Sequence, residues 1–275
     1  MICAWKELLA ILPPWMRSDV DRLGRDSLQE LRLRINAPPE LRMGRGESYL
    51  ERTVCREDLN YCVNTASSYS PWTASSAAKG YLTAPGGHRI GLCGEVICKD
   101  GKSIGINTLT SLCIRVARDF PGIADNACRA TGSVLILGAP GWGKTTLLRD
   151  LCRQIGETTN VGVVDERKEL FPPGVPGGKR IDVISGCAKI YGMDMILRTM
   201  GPSYIAVDEI TAQEDCEAMV QISNCGVKLL ATAHAASIQD YYSRSVYRVL
   251  VEYHVFDTIL LLRQDKSYTL ERVTK

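Results

Sequence analysis

Short apolar runs punctuate the second half of the chain at intervals: VLIL from Val134, VGVV from Val161, YIAV from Tyr204 and KLLATA from Lys228. Between them lie segments whose apolar residues recur every three or four positions, among them TTLLRDLCRQI, MDMILRTM, Gln213–Asn224 and residues 237–251. Apolar runs of this length, alternating with helical periodicity, predict the buried strands of a parallel sheet with helices on both faces. The tail DTILLLRQDKSYTLERV has two strand-like runs around a polar turn and predicts an antiparallel hairpin that closes one edge. The first half patterns differently. ELRLRI alternates charged and apolar residues, and HRIGLCGEVI and TSLCIRVA flank a turn at KDGKS, which predicts a smaller mixed α/β domain. RDFPGIADNACRAT, broken by Pro121 and Gly122, reads as the linker, so domains are expected at residues 1–120 and 121–275.

At the start of the chain Trp5, Leu8, Leu9 and Leu12 recur at helical spacing. Such a stripe suits packing on its own domain better than docking on a membrane. Pro13 and Pro14 cut the apolar run too short for a secretory signal or a membrane span. The 275 residues carry 33 Lys and Arg against 31 Asp and Glu, a net charge of +2. Between Arg17 and Arg52 the arginines are interleaved with Asp19, Asp21, Asp26, Glu30 and Glu40, the pattern of a solvated surface rather than a nucleic-acid footprint. The 11 cysteines, Cys93, Cys98 and Cys113 among them, form no C-x-x-C and suit reduced thiols used as small core residues, as in cytosol. None is expected to be catalytic or to hold zinc.

The chemistry enters with GAPGWGKT, which follows VLIL and precedes a helix start and matches G-x-x-x-x-G-K-[ST]. In that order Gly138, Ala139, Pro140, Gly141, Trp142 and Gly143 form a backbone cradle for phosphate oxygens at a helix N-terminus. Lys144 reaches the outer phosphates, Thr145 offers a hydroxyl to Mg²⁺, and Thr146 opens the helix.

Three strand ends supply candidate partners. SYIAVDEI puts Asp208 and Glu209 at the carboxyl edge of the sheet, where Asp208 could hold Mg²⁺ through water and Glu209 could deprotonate the attacking water. A helix-capping acid pair is the plainer reading. VGVVDERKEL puts Asp165, Glu166 and Glu169 at a second acidic end, with Glu166 as a further candidate base in a water network around the γ-phosphate; a solvated charge run is its alternative. In KLLATAHAAS, His234 follows strand residues among small neighbours that leave its ring room to approach a ligand, although a lone histidine there is also an ordinary structural residue.

The order of these pieces, with ILRTMGPSYIAVDEITAQE and ATAHAAS, resembles the Walker A, Asp box, Walker B and His box of secretion-type ATPases. ELRLRINAPPELRMGRGE, GYLTAPGGHRIGLCGEV, SLCIRVARDFPGIAD and RIDVISGCAKIYGMDMILRTMGP extend the likeness over nearly the whole chain, to the stage III sporulation protein AA family. That resemblance implies a RecA-like domain, ATP and Mg²⁺ as ligands, and an active hexamer. It also implies a cytoplasmic protein on the mother-cell side, peripheral to the outer forespore membrane and docked on a membrane protein of a secretion-like channel complex. The same resemblance offers Arg89 in GGHRIG and Arg115 in SLCIRVA as candidates for the strand arginines that serve an adjacent subunit in secretion-type ATPases; exposed strand-edge arginines are the alternative. Two departures stand out: the Gly-Glu of many secretion ATPases, followed by an arginine two residues later, is here Asp208-Glu209 with Thr211, and the four-cysteine zinc module is missing. The first implies a different hold on the metal.

Other readings are a nucleic-acid-directed P-loop ATPase, disfavoured by the lack of a basic stripe, and a nucleotide-dependent scaffold that scarcely hydrolyses. Lys144, Asp208 and Glu209 count against the scaffold. The loop FPPGVPGGKR is expected to be mobile and to lie at a subunit contact or pore.

Overall fold

A computed structural model describes residues 1–44, 46–67, 80–99, 101–129, 132–172 and 175–273. Pro173 and Gly174 of the FPPGVPGGKR loop lie outside the described residues. The chain forms two compact units, one built on Met1–Asp119 and the other on Phe120–Phe171 and Pro176–Lys275, with Pro172 and Val175 counted in the first.

The first unit contains helices α1 (Trp5–Ile11), α2 (Pro14–Leu23) and α3 (Arg56–Ala66). Its strands are β1 (Leu28–Arg34), β2 (Glu40–Met43), β3 (Gly46–Tyr49), β4 (Tyr81–Thr83), β5 (Arg89–Lys99) and β6 (Lys102–Arg115). They make one sheet in the order β3-β2-β1-β6-β5-β4, with antiparallel pairing. The alternation of ELRLRI does what period two requires: Leu31 and Leu33 are buried while Arg32 and Arg34 stand on the other face. Leu8, Leu12 and Met16 join them in one core, so the N-terminal apolar stripe packs inside its own unit.

His88, fully buried, ties this unit together. Its Nδ1 accepts the Ala117 N–H at 3.1 Å, which leaves the proton on Nε2 to be donated to the Ala4 carbonyl at 2.8 Å. Burial holds its pKa below the ordinary histidine value.

The second unit carries helices α4 (Lys144–Ile155), α5 (Lys189–Met200), α6 (Gln213–Asn224), α7 (Ile238–Ser243) and α8 (Arg248–Glu252). Its strands are β7 (Val134–Leu137), β8 (Val161–Asp165), β9 (Ile181–Ser185), β10 (Tyr204–Ile210), β11 (Lys228–Ala233), β12 (Thr258–Leu262) and β13 (Tyr268–Arg272). The sheet order is β13-β12-β7-β11-β10-β8-β9, parallel throughout except for the β12–β13 hairpin at one edge. Leu135, Leu137, Ile205, Val207, Leu229 and Ala231 share a core with residues of α5, α6 and α8. The alternate residues Ile136, Ala206 and Leu230 are equally buried but outside that core, and α4 packs against β7, β10 and β11. Helices therefore cover both faces, as the apolar runs require.

One local expectation is corrected. Residues 237–251 do not form one helix: Arg244 is extended at φ −82° and ψ 122°, a 3-10 turn follows at Ser245–Tyr247, and α8 then begins. Two contacts enforce the break, Arg244 reaching back to Asp240 at 2.9 Å and Tyr247 stacking on Tyr241 with centroids 5.2 Å apart. IDVIS is a strand, an exposed edge that its weak apolar pattern hides. In the segment between the two units' sheets, the Asp150 carboxylate on α4 accepts the N–H groups of Gly122 and Ala124 at 2.9 Å. Among the described residues no helix is long and apolar enough to cross a membrane.

Candidate phosphate-binding and catalytic site

β7 delivers the chain to Gly138 from the interior of the sheet, and α4 starts at Lys144. Gly141 and Gly143 have φ of 75° and 99°, a left-handed backbone that a side chain would strain, so the glycines permit the turn. The free N–H groups of the first turn of α4 thus open onto the loop. The Lys144 Nζ donates to the Ala139 carbonyl at 3.0 Å and to His234 Nδ1 at 3.1 Å. Burial lowers the Lys144 pKa, against the opposing pull of Asp208 and Glu209, and an anion beside Nζ would offset that burial.

Thr145 donates its hydroxyl to Asp208 Oδ2 at 2.7 Å, and Thr232 donates to Oδ1 at 2.6 Å. Burial drives the Asp208 pKa up, outweighing both hydroxyl donors. A divalent cation beside the Thr145 hydroxyl and this carboxylate would relieve that penalty, and hard oxygen donors of this kind suit Mg²⁺. Among the described residues no group of three or more His, Cys, Asp or Glu side chains could hold a metal.

Glu209 is turned aside by a bulge. β10 and β11 run in register to Val207 opposite Ala231, then resume at Ile210 opposite Ala233, so β10 holds one residue more than its neighbour. Glu209 takes that slack with φ 57°, and its N–H donates to Thr232 Oγ1 at 2.7 Å. Its side chain lies between His234 Nε2, 3.1 Å from Oε1, and Arg167, which donates to Oε2. The His234 tautomer follows: an ammonium can only donate, so Nδ1 accepts from Lys144 and Nε2–H faces Glu209. Lys144, Thr145, Asp208, Glu209 and His234 are thereby joined in one hydrogen-bonded network.

The second acidic strand end is built otherwise. Asp165 is buried, and its carboxylate accepts the N–H groups of Glu169, Leu170 and Phe171 at 2.8, 3.0 and 2.8 Å. Glu166 accepts from Lys189 at 2.7 Å. The first of these acids shapes a turn and the second pairs with α5.

Trp142 and Gly143 border a cavity of about 380 Å³ whose other walls include Phe120, Leu262, Lys266 and Tyr268. Lys266, in the β12–β13 turn, donates to the Gly141 carbonyl at 2.6 Å. Arg89 and Arg115 stand opposite each other on β5 and β6 of the first unit. The Arg89 guanidinium lies 4.6 Å from the Tyr81 ring centroid, and Arg115 Nε is 3.5 Å from Glu30. Sequence reasoning did not single out Thr232, Arg167 or Lys266. Thr232 alone left a trace, as a hydroxyl in the otherwise apolar strand before His234.

Residues 7–271 match the family described as "Sporulation stage III, protein AA". The chain belongs to this family. It is 36% identical over 282 residues to "Stage III sporulation protein AA" of Bacillus subtilis (strain 168), a match that covers 95% of this chain and 92% of that one. Among solved structures it is similar to the pilus retraction motor PilT with bound ADP, at a TM-score of 0.64 and 14% identity, covering 98% of this chain and 82% of that one. It is also similar to the ATPase DotB of Legionella pneumophila, at a TM-score of 0.61 and 16% identity, covering 95% and 80%. At such low identity the likeness is one of fold alone, the RecA-like α/β fold.

Proposed function

We propose that the chain hydrolyses ATP with Mg²⁺ and that an oligomeric ring, a hexamer in its active form, uses this to power assembly of, or transport through, a secretion-like channel complex between mother cell and forespore. It works from the mother-cell cytoplasm, peripheral to the outer forespore membrane and docked on a membrane protein of that complex. The observation that carries the reading is the Thr145–Asp208 contact of 2.7 Å beneath the phosphate loop, with Glu209 diverted from the strand beside it.

In this reading the loop from Gly138 to Gly143 binds the phosphates through backbone N–H groups and Lys144 neutralises the outer ones. Thr145 and Asp208 would hold Mg²⁺, which supplies charge neutralisation at the β- and γ-phosphate oxygens. Glu209 orients the attacking water and takes its proton, and His234 reports the outer phosphate by exchanging its hold on Lys144. Glu166 remains the second candidate base. The apolar cavity beside Trp142 and Tyr268 suits the nucleobase. Arg89 and Arg115 act on the nucleotide of a neighbouring subunit, where one such arginine contributes about 10³-fold or more in rate.

The test is phosphate release with and without Mg²⁺, together with sizing in the presence of a non-hydrolysable ATP analogue. Mg²⁺-dependent release and a defined analogue-bound oligomer are expected. No release by any oligomeric form would refute the reading. Mixing Arg89→Ala or Arg115→Ala with Glu209→Gln then separates action in trans from action within one subunit, since only mixed rings regain turnover if the arginine reaches a neighbour.

A second reading, an ATPase directed by nucleic acid, rests on one feature of the first unit. Of the interleaved acids, Glu30 and Glu40 have side chains only 15% and 11% exposed, while Arg42 and Arg115, paired with them, are 51% and 64% exposed; Asp26 stays 79% exposed. A shift assay against salt decides, because phosphate-led binding weakens steeply as salt rises.

A further inference from the structure

We propose that Arg167 is a positioning residue for Glu209, holding one oxygen of the general base while His234 holds the other; this rests on reading Glu209 as the water-activating carboxylate. Arg167 lies on the turn that follows β8, and that turn is braced from two sides. Asp165 accepts three of its N–H groups, and Arg149 of the phosphate-loop helix α4 donates to the carbonyls of Leu170 and Glu169. Arg149 and Asp165 are both buried, and Lys168 within the turn is held at φ 57°. None of these bonds uses the Arg167 side chain, so the turn keeps its shape without it. What the bracing places is the Arg167 guanidinium, which donates to Glu209 Oε2.

Glu209 is then fixed at three points. Its N–H donates to Thr232, Oε1 faces His234 Nε2 at 3.1 Å, and Oε2 accepts from Arg167. A carboxylate has about four lone-pair sites, so two donors orient its plane and still leave acceptor sites for a water proton. Surface ion pairs contribute little to folding, and Arg167 is 45% exposed. Stability therefore does not account for so much buried scaffolding beneath one exposed arginine. Positioning does, because a small misplacement of a general base is costly in rate.

The experiment uses the full chain, with single-turnover phosphate release and binding of a fluorescent ATP analogue. Arg167→Ala is expected to lower the rate about tenfold or more while analogue affinity changes less than about twofold, and Arg167→Lys to recover part of the rate. In a Glu209→Gln background, Arg167→Ala should lower the residual rate by less than about twofold, because both changes act through one carboxylate. An unchanged or faster rate in Arg167→Ala overturns the proposal. So does a loss of analogue affinity at full rate, or losses that multiply in the double variant, which would put the guanidinium on the nucleotide itself. Wild-type turnover in Glu209→Gln alone removes the underlying reading and this inference with it; an inactive Glu209→Gln beside a fully active Arg167→Ala removes only the inference.

Discussion

Two strands of the parallel sheet carry the same letters VDE at their carboxyl ends, residues 164–166 where β8 stops and residues 207–209 within β10, and the fold surrounds them differently. After β8 the aspartate is consumed by backbone: Asp165 accepts three N–H groups and Glu166 pairs with Lys189. After β10 the aspartate receives hydroxyls from Thr145 and Thr232, and a bulge swings Glu209 toward His234. The difference lies in the neighbours. β10 pairs with β11, which carries Thr232, and β11 in turn pairs with β7, which leads into the phosphate loop. β8 lies between β10 and the edge strand β9. An acidic strand end is built into a side-chain network or a backbone scaffold according to which side chains its register brings alongside.

The contrast can be broken first at the phosphate loop. Lys144→Ala should cost at least about 100-fold in turnover, read as phosphate release, because no other side chain of the loop carries positive charge to the outer phosphates. Thr232→Val tests the bridge between Asp208 and Glu209: it removes the hydroxyl that donates to one and accepts from the other. Turnover should fall about tenfold with the fold retained by circular dichroism. At the β8 end the same kind of change should appear in stability. Asp165→Asn removes the charge that three N–H groups share, and should lower the unfolding free energy by about 3 kcal/mol in urea titration.

The smallest effect lies in the first unit. His88 has a folded pKa below its ordinary value because it is buried, so the folded state favours the neutral ring. Its contribution to stability is full above the unfolded pKa of about 6.5 and is lost as pH falls from there toward the folded value. Thermal melts across that window should show a fall for the wild type that His88→Gln lacks.

Much of this was legible in the sequence because it rests on short-range pattern. The phosphate loop, the hairpin at the sheet edge and the helix Gln213–Asn224 follow from apolar spacing and glycine placement alone. The separate duties of Asp165 and Asp208 were not legible, since both follow an apolar run and only strand order tells them apart. Arg167 was hidden for the same reason: DERKEL reads as a solvated charge run until the turn is closed on Asp165. The break at Arg244 was lost to a helical spacing that tertiary contacts of Tyr241 and Tyr247 override.

The central claim, that the bulged end of β10 and not the braced end of β8 carries the reacting carboxylate, is tested most directly by measuring single-turnover ATP cleavage in Glu209→Gln and Glu166→Gln side by side, with nucleotide binding monitored in both. The account predicts a loss of about 10²-fold or more for Glu209→Gln at unchanged affinity, and less than about threefold for Glu166→Gln. Full cleavage by Glu209→Gln, or an equal loss in Glu166→Gln with its fold intact, would contradict it.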